Sequence, residues 1–343
     1  MRTKSDRPVY TNRSLDAFQI GEFVVKFNLT VLNAVLLGTM VTLGGLDSLG
    51  VLPSTFQSGL KGIANRVLPL ANASSPKASK RVVSLGGSIT ETIVALGHKD
   101  ALIGIDTTSV YPPNVVSKLP SVGYLRQLST EGVLSLEPGV IIASDQIGPK
   151  TVVDQLKKSG VKIEMFDKDL TPESATKNIR RLGEIFGESA KADALVSELE
   201  AKLAEAKKLS GTFTKKPKVL FIYARGSRVL NISGHSTSAH AVIELAGGTN
   251  AFGDIEGFKP MTSEAVVAAQ PDVILMLSRA VGSIGGEAKV FDLPGIALTP
   301  AGKNRRVLVM DDLKLLGFGP RLGEAILELT TAFAGADKAS GQL

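Results

Sequence analysis

The chain has 343 residues, 43% of them apolar and 21% charged, which is enough for two cores of ordinary domain size. The absence of cysteine excludes disulfides, thiolate metal sites and cysteine nucleophiles, and 35 Gly with 16 Pro suit a fold rich in strand-to-helix turns rather than a helical bundle. The formal charge of +6 is concentrated at the start, where residues 1–78 hold eight basic and four acidic side chains; the nearly neutral remainder shows no Lys/Arg stripe with interleaved aromatics of the kind that binds nucleic acid.

In chain order, the first feature is an uncharged run from Leu29 to Leu46, preceded by Lys26 and ended by Asp47. It is about as long as a membrane core is thick and reads as an export signal, with a retained membrane anchor as the alternative. The best small-x-small cleavage site is Ala71 and Ala73, and "SSPKASK" at 74–80 reads as a polar linker. Residues 1–78 are therefore assigned to the export signal and linker. With no cysteine to carry a lipid anchor, export points to a periplasm between two membranes.

From Arg81 onward, β-rich runs alternate with amphipathic helical stretches, the pattern of parallel sheets covered by helices. Strand candidates are "RVVSL" (81–85), "LIGI" (102–105), "VIIAS" (140–144) and "KIEMF" (162–166), then "KVLFIY" (218–223), "VILML" (273–277) and "RVLVM" (306–310). The halves also resemble each other. "STEGVLSLEPGVIIAS" from Ser129 matches "TSEAVVAAQPDVILML" from Thr262, placing Glu131 and Glu264 at equivalent positions. "SITETIVALG" (88–97) matches "STSAHAVIELAGG" (236–248), each a helix started by Ser/Thr and closed by Gly, with Ser88 and Glu91 expected to form a capping box.

Residues 171–210 are helix-like throughout: Thr171 suits a cap, Pro172 a first helical position and Gly187 a break, while Leu195, Leu199 and Leu203 recur on one face. The expected fold is thus α/β, two related Rossmann-like lobes (79–170 and 211–343) joined by a long helical segment (171–210). Such a connection is stiffer than paired strand hinges, so large closure is not expected. A surface helix of the second lobe is the alternative for this segment.

"RVVSLGGSITETIVALG", "VGYLRQLSTEGVLSLEPGVIIAS", "IELAGGTNAF" and "MTSEAVVAAQPDVIL" resemble the haem-binding periplasmic proteins of bacterial haem ABC importers, within the class III (cluster A) solute-binding fold shared with cobalamin and ferric-siderophore binders. The resemblance covers Arg81 to the C-terminus. It implies that haem is captured as a transported ligand and delivered to an ABC permease dimer in the inner membrane, with an outer-membrane haem receptor upstream. It also implies that Tyr124 ligates ferric iron with help from Arg126. The chemistry agrees, because ferric iron is a hard acid and phenolate a hard anionic donor. A free tyrosine titrates near about 10, so iron and a neighbouring guanidinium must favour its anion. In an extended loop, residues i and i+2 project to one side, which lets Arg126 reach the phenolate or a propionate.

In the second half Arg225 and Arg279 follow strand candidates and are expected to face the cleft, where a planar guanidinium suits carboxylates. His235, just before a helix, is a candidate second axial ligand or hydrogen-bond donor, as some relatives recruit a histidine from that lobe. Glu131 and Glu264 are, by the resemblance, the pair that docks the lobes onto the permease; each also favours a helix N-terminus through the dipole. A binder of another iron complex or of a corrinoid on the same scaffold is the first rival. An enzyme is the second, but there is no Gly-x-Ser-x-Gly elbow, His-Glu-x-x-His or Gly-x-x-x-x-Gly-Lys sequence to support it.

Overall fold

A computed structural model describes residues 80–340, so the expected export segment and its cleavage site lie outside the described residues. In the first half, β1 (Val82–Leu85), β2 (Leu102–Ile105), β3 (Val140–Ser144) and β4 (Lys162–Phe166) form a wholly parallel sheet in the order β2-β1-β3-β4. The central strands β1 and β3 are buried at every position. A strand covered on both faces has no wet side, which is why these segments read as nearly unbroken apolar runs. Helices α1 (Gly87–Ala95), α2 (Pro113–Val116), α3 (Thr130–Leu134) and α4 (Lys150–Lys158) make the returns between them.

The chain then crosses to the second sheet through two helices, α5 (Pro172–Phe186) and α6 (Ser189–Ser210). Thr171 caps α5, its Oγ1 accepting from the Ser174 amide at 3.1 Å, and Gly187 ends it at φ 73°, a left-handed conformation that glycine adopts without penalty. The expected long segment is therefore broken where its glycine stands. Of the expected leucine stripe only Leu199 is fully buried; Ala192, Val196 and Ala206 complete the inner face of α6, which packs on both α5 and the C-terminal helix. One continuous apolar core runs from β1 and α1 through α5 and α6 into the second sheet, so the halves share packing rather than hanging on a flexible tether.

In the second half, β5 (Lys218–Arg225), β6 (Val229–Ser233), β7 (Thr249–Asn250), β8 (Phe258–Pro260), β9 (Val273–Leu277) and β10 (Val307–Met310) form a six-stranded sheet in the order β10-β9-β5-β6-β8, with β7 beside β5. The three strands expected from sequence run parallel. The sheet as a whole is mixed, because Gly226, at φ 64°, turns β5 back into an antiparallel hairpin with β6, and β8 adds antiparallel to β6. Helices α7 (Ser238–Leu245), α8 (Ser263–Ala269), α9 (Ser278–Ser283), α10 (Pro300–Lys303), α11 (Asp312–Leu316) and α12 (Leu322–Ser340) follow its strands.

The sequence repeat corresponds to a repeated local structure. Ser129 caps α3 by accepting from the Gly132 amide at 2.9 Å, and Thr262 caps α8 by accepting from Ala265 at 3.2 Å; each helix leads into a fully buried strand. The other pair diverges at its start. Thr237 caps α7, accepting from the His240 amide at 3.1 Å, but the expected Ser88–Glu91 capping box does not form. The amides of Gly86 and Gly87 instead donate to the Asp106 carboxylate at 2.9 Å and the Thr108 hydroxyl at 3.0 Å, and Glu91 pairs with Arg321 from the other half.

Candidate ligand-binding cleft

The carboxyl ends of both sheets open on a cleft of about 650 Å³, the place where ligands sit in open α/β sheets. Tyr124, Arg126, Arg225 and Arg279 all line it. His235 is not among the lining residues. Its ring lies beside the Ser236 hydroxyl at 3.1 Å, and its backbone pairs with Ile255 and Gly257, which fixes it in a strand-like bridge on the rim of the second sheet.

Tyr124 stands on a loop pinned at both ends. Val122 donates to the Ile105 carbonyl at 2.9 Å, Thr107 donates to the Gly123 carbonyl at 2.9 Å, Leu128 donates to the Gly148 carbonyl at 2.9 Å, and the Gly148 amide donates to the Leu125 carbonyl at 2.9 Å. Tyr124 is 38% exposed, an unusual position for a large aromatic on a loop so well tied down. The loop is not extended as expected. Gln127 donates to the Tyr124 carbonyl at 2.7 Å, closing a turn that sends the apolar Leu125 into the core at 8% exposure. Arg126 is thereby turned toward the β3–α4 loop, where Nη2 donates to Gln146 Oε1 at 2.6 Å rather than to the phenol.

The same Tyr-x-Arg spacing recurs in the opposite wall, and there it lies on a strand. Tyr223 and Arg225, two residues apart on β5, share a face, and Arg225 Nε donates to the Tyr223 phenol oxygen at 2.9 Å. The Tyr223 ring meets Phe258 edge-on at 6.0 Å between centroids, which orients the phenol. Tyr223, Phe258 and Lys168, all lining the cleft, escaped the sequence reading; for Tyr223 the signal was the spacing to Arg225, repeated from Tyr124 and Arg126.

Charge is unevenly compensated around this space. Arg279 Nε lies 3.8 Å from Asp312 Oδ2, and burial holds the Asp312 carboxyl above its usual pKa despite that guanidinium. Asp167 is 3.7 Å from Lys177. Arg126, Lys168 and Arg225 make no ion pair among the described residues, and of the lining acids Asp169 alone is likewise unpaired. The cleft thus offers an excess of positive charge beside two exposed or half-exposed phenols and apolar walls that include Ile89, Phe166 and Leu316. That combination suits a large anionic ligand with apolar surface. Among the described residues no group of three His, Asp or Glu stands ready to hold a bare metal ion.

Glu131 and Glu264 lie outside the cleft. Both are exposed, both sit in the first turn of a helix, and neither makes an ion pair among the described residues.

The periplasmic binding protein family profile matches residues 82–313. Among solved structures, the periplasmic heme-binding protein RhuT from Roseiflexus sp. RS-1, in apo form, is 40% identical at a TM-score of 0.72, covering 76% of this chain and 100% of that one. An ABC transporter substrate-binding lipoprotein of Bacillus subtilis, YvrC, is 30% identical over 74% of this chain and 79% of its own. The vitamin B12-binding protein of Photorhabdus laumondii is 30% identical over 57% of this chain and 70% of its own.

Proposed function

Because the chain belongs to the periplasmic binding protein family, we propose that it captures haem and hands it to the permease of an ABC importer. The observation that carries this reading is the cleft itself: a rigidly held, exposed Tyr124 phenol among cationic side chains that lack carboxylate partners. Tyr124 supplies the phenolate for ferric iron, a hard donor for a hard acid. Arg126 and Arg225 meet the propionates, each presenting a planar fork already oriented by a neutral partner, Gln146 or Tyr223. Arg279 takes part through the face of its guanidinium that Asp312 leaves open. The likeness to RhuT at 40% identity over 76% of this chain supports haem over a corrinoid, since the vitamin B12-binding protein of Photorhabdus laumondii is 30% identical over 57% of it.

The residue spans 79–170 and 211–343 act as the two lobes, and Glu131 and Glu264 dock them on a two-fold permease, one from each. Their matched places in the repeat support this, since a symmetric partner requires equivalent contacts. Among the described residues no helix is long and apolar enough to cross a membrane; the apolar run at 29–46 serves export to the periplasm.

Titration of the purified protein with hemin tests the proposal. A shifted Soret band with a phenolate-to-iron charge-transfer band is expected, and both vanish in Tyr124→Ala. A spectrum indistinguishable from free hemin would remove the haem assignment and leave the corrinoid reading.

A further inference from the structure

The described residues hold a cation that the sequence reading left unused. Lys168 lies in the short loop between β4 and α5 and lines the first-lobe wall of the cleft. It is half-buried, yet it makes no ion pair or hydrogen bond with another described residue. The backbone that carries it is fixed. Asn178 Nδ2 donates to the carbonyl of the preceding Asp167 at 2.8 Å, and Asp145 donates its amide to Phe166 at 2.9 Å, which ties the loop to α5 and to the end of β3. Its chain neighbour Asp167 is drawn away toward Lys177.

Arg126 is brought to the same wall by its bond to Gln146, the chain neighbour of the Asp145 that ties down the Lys168 loop. Burial lowers the Lys168 ammonium pKa, the Arg126 guanidinium lowers it further, and Asp145 opposes both. Two positive groups are thus gathered at one wall, one of them partly desolvated, without a carboxylate bonded to either. Such an arrangement costs free energy in the empty protein and is relieved by an anion that lies between them.

We infer that Lys168 and Arg126 form a carboxylate-holding subsite in the first-lobe wall that selects ligands carrying an ionised side arm. The inference rests on the haem reading and deepens it, because it assigns one propionate to a specific pair and makes Lys168 a specificity determinant. Lysine suits the role as a compact point charge that a carboxylate can neutralise, while Arg126 fixes the orientation through its planar fork.

The test compares hemin with hemin dimethyl ester, whose side arms cannot ionise, in absorbance titrations of the wild type, Lys168→Met and Lys168→Arg. The wild type is expected to prefer the diacid. Lys168→Met should weaken hemin binding by roughly tenfold to hundredfold, the worth of a charge-assisted hydrogen bond, leave the ester affinity unchanged and keep the charge-transfer band; Lys168→Arg should restore the preference. An unchanged diacid-to-ester ratio in Lys168→Met, or equal losses for both ligands, overturns the subsite while leaving haem binding standing. A wild type that binds neither compound overturns the haem reading and the subsite together.

Discussion

Arg321, on the turn before the last helix, grips Glu91 of the first lobe: Nε donates to Oε1 at 2.6 Å and Nη2 to Oε2 at 3.2 Å. The same guanidinium stacks 3.7 Å from the Tyr111 ring centroid and lies 3.4 Å from Asp311. The pair joins the halves at a point far from the α5–α6 crossing in sequence. Glu91 is 4% exposed, and burial raises its carboxyl pKa even though the guanidinium works against that rise. A buried pair of this kind contributes more to the geometry of the two lobes than to net stability.

Arg321→Met should therefore cost about 3–5 kcal/mol at neutral pH, the usual penalty for stranding one member of a buried pair. The pH dependence has a definite sign. A carboxyl whose folded pKa exceeds its unfolded value of 4.5 binds protons better when folded, so its contribution is favourable at low pH and is lost as pH rises through the folded value. Removing the cation raises that folded value further and widens the window. Thermal unfolding followed from about pH 4 to about pH 7 should show the variant losing stability more steeply than the wild type with rising pH. Adding Glu91→Gln should flatten the slope; parallel curves for Arg321→Met and the wild type would refute the assignment.

The two phenols of the cleft make separable predictions. Tyr124→Phe removes the proposed iron ligand and should abolish the charge-transfer band, with an affinity loss at or beyond the roughly 10 to 100-fold typical of disturbing a metal's outer shell. Tyr223→Phe removes an acceptor for Arg225 Nε and should keep the band while shifting hemin affinity by less than about tenfold, because the guanidinium stays in the cleft and loses only the hydrogen bond that orients it. Loss of the band in Tyr223→Phe with its retention in Tyr124→Phe would move the iron to the second lobe.

Local signals were the legible ones. Thr171, Pro172 and Gly187 announce the boundaries of α5 because caps depend on nearest neighbours, and β3 and β9 are unbroken apolar runs because both faces are covered. The cleft was legible where residues followed strands, as at Arg225 and Arg279. Four features resisted. Spacing alone suggested that Tyr124 and Arg126 share a side, but burial of Leu125 forces a turn between them. Tyr223 lies within an apolar strand, where an aromatic reads as core, and Lys168 between two aspartates reads as an ordinary wet loop. Glu91 looked like half of a capping box because its partner is 230 residues away, beyond any local pattern.

The docking role proposed for the glutamate pair is separable from ligand capture. Glu131 and Glu264 are exposed, without an ion pair among the described residues and outside the cleft lining. Each supports its helix dipole by about 0.3–1 kcal/mol, so the double alanine variant should melt only slightly lower. Hemin titration should be unchanged, while haem-dependent transport by the reconstituted importer should be lost. Weakened hemin binding in the double variant would contradict the separation.

Gly87 lines the cleft at a point where Leu313 of the opposite half packs close to it. A Cβ built there would lie 2.5 Å from the Thr108 carbonyl oxygen and 2.6 Å from Leu313 Cδ1, the second of which belongs to the opposite half. The leucine atom is the end of a flexible side chain, but the carbonyl is backbone, and the Thr108 amide is held by its hydrogen bond to the Asp106 carboxylate at 2.9 Å. Gly87→Ala should therefore destabilise by about 1–3 kcal/mol, as overpacking does, and part of the strain should be relieved by moving Leu313 and its lobe outward. Hemin binding should weaken in proportion, since the walls that carry Tyr124 and Arg225 are then farther apart. Adding Leu313→Ala should restore hemin affinity even though it lowers stability further by removing a buried side chain. A double variant that binds hemin no better than Gly87→Ala would show that the contact with Thr108, rather than the spacing of the lobes, sets the defect.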